Sequence, residues 1–339
     1  ARGISYVSAF CELIDGIIEN HARRKDPNKE TEIIFTLKGG GEYLELSENS
    51  GGIAKEKFDS VAEIGNSGWG NLWGVGVFGV GLKKAMRKIA TKHHLFTWYD
   101  GGGDPSKADA QPAEMNFSNE FWAKAGIDKV QSKVTEDKVM KQKKGFTIIK
   151  FFDLEKYLNE KLEFTDKFVN DIAKYYFQWI EEIPGNVKII FREGIGNEIQ
   201  MPRTDLFSDE VIRRDFSYFP GYEPRTFVLK TKGQPDSMNG KKSKLDIKVK
   251  FGLTRNVSAG TEKAGVYVYG NNRMFHSQGK GEEFGFGNMT KFGQVKSFHA
   301  ETYKFRVKVD IDAENPEDIP WNIEHKNGYD PTHPTASHI

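Results

Sequence analysis

Between Gly65 and Gly81 the chain carries seven glycines in seventeen positions, against an average usage of about 7 per cent. The run leads into Leu82 and Lys83 at the start of a helical pattern extending to Ala90. Glycine loops that open a helix commonly bring backbone N–H groups to a phosphate, and two phosphate-binding patterns can be tested here. Gly74, Gly76 and Gly79 satisfy the dinucleotide spacing, but Asn66 to Trp73 is loop-like where that motif needs a strand, and no acid follows at about 20 residues. Gly76 and Gly81 have the P-loop separation, but Leu82 stands where lysine is required. Taken alone, the run then reads as a surface loop before an ordinary helix.

Other elements accompany it. Val7, Phe10, Leu13, Ile14, Ile17 and Ile18 recur at helical spacing within Ile4 to Glu19 and predict an amphipathic helix carrying Glu12 and Asp15. Strands are predicted at Glu32 to Leu37 and Tyr43 to Leu46, around Gly39, Gly40 and Gly41, and this hairpin delivers the chain to Glu48-Asn49-Ser50-Gly51-Gly52. Further strands are predicted at His94 to Tyr99 and Gly145 to Phe152, with an exposed loop from Asp100 to Ala113. A domain boundary is placed there, giving 1–152 and 153–339. The second part opens with a helix from Thr165 to Ile183 and continues mainly in strands, at Asn186 to Phe191, Thr226 to Lys230, Leu245 to Phe251, Gly265 to Tyr269 and Tyr303 to Val309. The whole is expected to be α+β.

The chain of 339 residues has 49 Lys plus Arg against 48 Asp plus Glu, so its overall charge does not argue for coating nucleic acid or an anionic membrane. Cys11 is the sole cysteine, which excludes an internal disulfide framework and fits a reducing compartment. The eight histidines lack the one-turn spacing of metal ligands on a helix. No apolar run approaches the roughly 20 residues of a membrane span, and no secretory signal pattern is evident, so a soluble, cytoplasmic chain is expected.

In order and spacing, these elements resemble the motifs of the GHKL ATPase superfamily, which holds DNA gyrase, the MutL proteins, the ninety-kilodalton heat-shock chaperone and the MORC ATPases. Glu12-Leu13-Ile14-Asp15 is similar to the first motif, whose Glu polarises the attacking water. Glu48-Asn49-Ser50-Gly51-Gly52-Ile53 is similar to the second, whose acid reads the adenine amino group. Gly76-Val77-Phe78-Gly79-Val80-Gly81-Leu82-Lys83 resembles the third, which brings backbone N–H groups to the phosphates. Gly145-Phe146-Thr147 resembles the fourth, where a threonine hydroxyl supports the adenine site. The resemblance implies a two-layer α/β sandwich (the Bergerat fold) binding ATP and Mg²⁺. It further implies Glu12 as general base and a nucleotide-binding set of Asp15, Gly16, Glu48, Ser50, Gly52, Gly76, Phe78, Gly79, Val80, Gly81, Leu82, Lys83 and Thr147.

Three positions depart from the pattern. Gly16 stands where the superfamily carries the Asn that ligates Mg²⁺, and Asn20, about 6 Å further along the helix axis, is the candidate replacement, with water as the alternative. Glu48 stands where Asp is usual, and Ser50 where Gly is. These departures bear on the expectation of hydrolysis more than on that of binding.

Phe168 to Ile190 and Gly265 to Arg273 are similar to the smaller α/β transducer domain that follows the ATPase domain in MutL, gyrase and MORC proteins. There a lysine reaches the γ-phosphate; Lys326 is the candidate and Lys280 the reserve. The nearest flavour is MORC or MutL, which implies an ATP-dependent homodimeric clamp with DNA as partner; Lys141, Gln142, Lys143, Lys144 and the run Lys241-Lys242-Ser243-Lys244 are the candidate phosphate contacts. A chaperone acting on protein clients and a non-hydrolysing nucleotide sensor or scaffold are the alternatives.

Overall fold

The computed structural model describes residues 4–22, 24, 29–38, 41–58, 61, 81–120, 132–154, 162–176, 178–180, 186–194, 196–202, 225–235, 242–253, 264–290, 293–294, 297, 305–322, 326 and 328–338. The chain divides into two compact units, with the main change-over after Arg203.

The first unit is built on an eight-stranded sheet. Its strands are β1 (Thr31–Lys38), β2 (Tyr43–Glu48), β3 (Ala90–Thr97), β4 (Ala113–Ser118), β5 (Lys133–Val134), β6 (Thr147–Leu154), β7 (Val187–Glu193) and β8 (Asn197–Gln200), in the order β5-β4-β3-β6-β2-β1-β7-β8. All neighbours are antiparallel except β1 and β7, which run parallel. The helices are α1 (Tyr6–Ala22), α2 (Lys55–Phe58), α3 (Gly81–Ile89) and α4 (Asp166–Tyr176). Helix α1 packs against α3, α4 and β1, while α3 packs on β3 and β6, which makes the helical layer of an α+β sandwich.

Helix α1 is held on the sheet by its apolar stripe. Phe10 meets Phe35 of β1 at 4.8 Å between ring centroids, and Phe164, Phe168 and Phe191 complete the aromatic cluster. Burial of such rings supplies much of the driving force and fixes the helix by their edge-to-face geometry. Asp15 is fixed by α4: the Tyr176 hydroxyl donates to its Oδ1 at 2.7 Å and also lies 2.8 Å from the Cys11 carbonyl.

The hairpin appears as expected, and the helix predicted from Leu82 to Ala90 is α3. The strand expected at His94 to Tyr99 instead occupies β3, because Ala90 to Thr97 has partners on both sides, in β4 and β6. The helix expected from Thr165 to Ile183 closes at Tyr176, and Ile180 forms a bridge with Val187. The sheet also runs past the boundary expected at 152–153, since the parallel partner of β1 is β7.

His93, on β3, is buried between the rings of Phe117 and Phe151. Burial lowers it from an ordinary 6.5 to about 4, against the opposing pull of its bond to Asn119. The unfolded chain thus takes up a proton that the folded chain refuses, so this contribution to stability is complete above pH 6.5 and declines as pH falls toward 4, by up to about 3 kcal/mol. Urea unfolding at pH 7 and pH 4.5 should show a larger acid loss in wild type than in His93→Phe; equal losses would exclude His93 as the source.

The second unit contains a five-stranded sheet of β9 (Arg225–Pro235), β10 (Lys242–Leu253), β11 (Gly265–Gly270), β12 (Arg273–Gly279) and β15 (Phe305–Ala313), in the order β12-β11-β15-β10-β9, with β11 and β15 parallel. A short hairpin joins β13 (Met289–Thr290) to β14 (Gly293–Gln294). Leu245, Ile247, Val266, Val268, Val309 and Ile311 are buried within this unit's core. Among the described residues no helix is long and apolar enough to cross a membrane.

Candidate functional site

The end of β2 forms the centre of the candidate site. Glu48 turns its carboxylate back to accept the Ser50 backbone N–H, closing the turn on itself. The register pairs Glu48 with Thr147 on β6, and Thr147 with Thr97 on β3. Three polar side chains therefore line up across three adjacent strands, each at most 4% exposed. Thr147 faces Glu48 as its partner on the neighbouring strand, and Thr97 Oγ1 lies 3.3 Å from Thr147 Oγ1. Burial pushes the Glu48 carboxyl above its ordinary range, while its bonds to Ser50 and Thr147 and the charge of Arg24 pull it back.

The turn beyond Glu48 is tied on every side. Asn20, on α1, donates from Nδ2 to Ser50 Oγ at 2.9 Å, to the Gly52 carbonyl at 3.1 Å and to the Ser50 carbonyl at 3.3 Å. Arg24 donates to the Asn49 carbonyl and pairs with Asp100 at 2.8 Å. Gly51 exchanges backbone bonds with Gly145 and Asp100, and Ile53 N–H donates to Thr97 Oγ1 at 2.7 Å. Gly51 and Gly52 have φ of +123° and +75°, whereas Ser50 is not in the positive-φ region, so a serine is accommodated there without backbone strain.

The second cluster lies where α1 meets α3. Glu12 is 6% exposed, and a β-carbon on Gly81 would overlap its carboxylate, so the glycine is what lets the first residue of α3 approach Glu12. Lys83, two residues further on, is buried and Leu82 is partly exposed. Gly76, Phe78, Gly79 and Val80 lie outside the described residues.

The structure thus joins Asn20, Glu48, Ser50 and Gly52 by direct bonds, sets Thr147 opposite Glu48 on the neighbouring strand, and brings Glu12 to Gly81. Asp15 instead faces Tyr176 in the interior. Gly16 is exposed, and a β-carbon there would meet nothing within 4 Å. Packing does not demand glycine at this helical position, so Gly16→Ala should raise stability by about 1 kcal/mol through helix propensity. A fall in the denaturant midpoint would show that the position is constrained.

An open cavity of about 810 Å³ adjoins the turn, lined by Asn20, Ser50 and Gly52 on one side and by Lys55, Tyr99 and Lys107 among others. Its size falls in the usual range of small-ligand sites. Among the described residues no group of three or more His, Cys, Asp or Glu is placed to hold a metal ion.

In the second unit, Lys326 is buried with φ of +47°. The fully buried Arg273 donates to its carbonyl at 2.7 Å. Lys280, the reserve, sits between Gly279 and Gly281 and is partly exposed. Of the basic runs, Lys141 pairs with Glu136, and Lys143 and Lys144 lie over the rings of Phe146 and Trp98. Lys241 and the side chain of Lys242 lie outside the described residues; Lys244 pairs with Asp246.

Sequence reasoning missed Thr97, Arg24 and Asp100. The signal for Thr97 is a hydroxyl at a strand end that pairs with Thr147, visible only once β3 and β6 are known to be neighbours.

No protein-family profile and no curated protein matches the sequence. The structure is similar to the crystal structure of the B subunit of the DNA gyrase from Myxococcus xanthus, with a TM-score of 0.50 and 12% sequence identity, covering 94% of this chain and 82% of that one. At that identity the likeness is one of fold, and it is the α+β fold that the motif resemblance to the GHKL superfamily implies.

Proposed function

We propose that the first unit binds ATP as its magnesium complex and hydrolyses it slowly. The observation that carries this reading is the meeting of widely separated motifs: Glu48, Thr147 and the Asn20-clamped turn form one polar site beside an open cavity, and Glu12 abuts the first residue of α3. Glu48 offers a carboxylate acceptor suited to an exocyclic amino group. Glu12 is the general base, a role requiring hydrogen-bond reach to a water in line with the terminal phosphate. Asp15 supports α1 through Tyr176.

The residues present fit the nucleotide better than they fit a protein-held metal. Gly16 supplies no side chain, and the Asn20 amide nitrogen is committed to the turn, so of these two positions only Asn20 Oδ1 could serve as a ligand. Mg²⁺ carried on the triphosphate would neutralise charge developing on the transferred phosphoryl group. The same two residues support the second reading, a nucleotide sensor or scaffold in which hydrolysis is negligible.

In the finer reading, of MORC or MutL flavour, residues 1–152 carry the ATP-binding motifs and 153–339 the transducer motifs. The loop from Gly65 to Gly81 closes as a lid, Lys326 contacts the γ-phosphate, and two copies in the cytoplasm form an ATP-dependent clamp on DNA. The chaperone alternative replaces DNA by a protein client. Calorimetric titration with ATP and Mg²⁺ should give saturable binding; an absence of both heat and saturation would remove the reading. Light scattering with a non-hydrolysable ATP analogue should show a dimer, and tight analogue binding by a monomer would exclude the clamp. DNA retention that falls steeply with salt separates DNA from a protein client.

A further inference from the structure

In the five-stranded sheet of the second unit, β9 and β12 are the outer strands, and their edges are finished differently. β12 meets β11 through two register shifts, and its Phe275 carbonyl accepts the Gly328 N–H at 2.6 Å from outside the sheet, so that edge is bulged and partly covered. Among the described residues β9 pairs with β10 alone. Its consecutive residues Phe227, Val228 and Leu229 are 50%, 51% and 49% exposed. Neighbouring residues of a strand point to opposite faces, so β9 is uncovered on both faces at these positions. Single exposed apolar residues are ordinary, whereas a contiguous run on an open edge is a surface for strand pairing.

We propose that β9 pairs with β9 of a second copy, antiparallel about a two-fold axis through Val228. Facing residues of an antiparallel pair turn their backbone groups either both toward the partner or both away. Two copies of one strand must therefore meet with the axis on a residue. At Val228 the axis sets Val228 opposite itself and Phe227 opposite Leu229 of the second copy, while Arg225 falls opposite Thr231 and Lys230 opposite Thr226. Apolar residues meet apolar ones, and no like charges stand opposite each other, an arrangement that would be destabilising. An axis at Phe227 sets Leu229 opposite Arg225, one at Leu229 sets Val228 opposite Lys230, and one at Lys230 sets lysine against lysine. Phe227 already stacks on Phe251 of β10 at 5.6 Å between ring centroids, and the pairing carries this apolar layer into the second copy. Pro224 and Pro235 bracket the strand and supply no N–H to a ladder, which confines the pairing to the residues between. With β12 blunted, the association closes at two copies. It needs no nucleotide and stands apart from the reading of the first unit.

Sedimentation velocity on the full chain without nucleotide should show monomer passing to dimer as concentration rises through the micromolar range, in keeping with an interface of one strand pair. Val228→Lys brings two ammonium groups together at the axis and should raise the dissociation constant by about 100-fold or more. Val228→Thr, uncharged and suited to a strand, should leave it within about fivefold. Should the lysine variant fail to fold, two cysteine variants report the register. Val228→Cys should crosslink on mild oxidation, because facing Cα atoms lie about 4.5–5.5 Å apart, within reach of a disulfide. Lys230→Cys should not, since the register holds its two copies about 13 Å apart along the strand. The native thiol, Cys11, is buried. A nucleotide-free monomer at every concentration overturns the proposal, including a protein that dimerises with ATP alone or whose β9 takes a different strand. Assembly beyond the dimer, a dimer indifferent to Val228→Lys, or equal crosslinking by the two cysteine variants overturns it as well.

Discussion

Glu12→Gln is expected to lower ATP turnover by about 10²–10⁴-fold, the usual contribution of a general base, while leaving ATP affinity within a few-fold of wild type. The substitution keeps shape and removes only the ability to take a proton. Glu12 lies on the buried side of α1, in a helix fixed by the Phe10 cluster and by the Tyr176 bonds, so the side chain is delivered to a set place and not sampled from solvent. Its carboxylate sits against the first residue of α3, where helix N-terminal N–H groups favour negative charge. On the proposed reading the terminal phosphate is drawn to the same helix end, within reach of a water held by Glu12. Phosphate release under saturating ATP, with affinity from calorimetry on the same samples, separates the two effects. Equal rates in the two proteins would remove Glu12 from the mechanism, and a parallel loss of affinity would make it a binding residue.

Legibility in the sequence followed the range of the interactions. The β1–β2 hairpin, α1 and α3 rest on patterns within about twenty residues, and their places could be read directly. Glu48 and Thr147 could be named because their motifs are local, although their meeting depends on the pairing of β2 with β6. What escaped was non-local. Thr97 matters only because β3 lies beside β6, and Arg24 matters because Asp100 follows β3 at the far side of the turn. The expected boundary at residue 152 marked a change in composition, whereas the compact unit continues because β7 returns to lie parallel with β1. Parallel pairing of that kind leaves no turn signature in the intervening chain. Asp15 shows the converse limit. A motif can name a residue correctly as part of a helix and still not say which way its side chain faces, and here the buried Tyr176 hydroxyl takes it inward.

Gly52→Ala should be strongly damaging to the first unit and to its candidate site. Position 52 has φ of +75°, a region that costs an L-residue roughly 1–2 kcal/mol. The new β-carbon would also overlap the Trp98 carbonyl oxygen and lie 2.7 Å from its carbon. That neighbour is backbone, locked by Gly145 N–H donating to the same carbonyl at 2.7 Å, so it cannot rotate away as a side chain would. Overpacking of this kind adds about 1–3 kcal/mol, for a total of about 2–5 kcal/mol. The cost falls on one connected structure: moving residue 52 pulls on Asn20, which holds its carbonyl, and on Ile53, whose N–H is held by Thr97. The turn that seats Glu48 is then displaced even in molecules that remain folded. Urea unfolding should show the stability loss, and calorimetry below the unfolding transition should show ATP binding weakened beyond detection. Wild-type affinity in the folded variant would mean that nucleotide recognition does not pass through this turn, and the assignment of Glu48 to the base would fall with it.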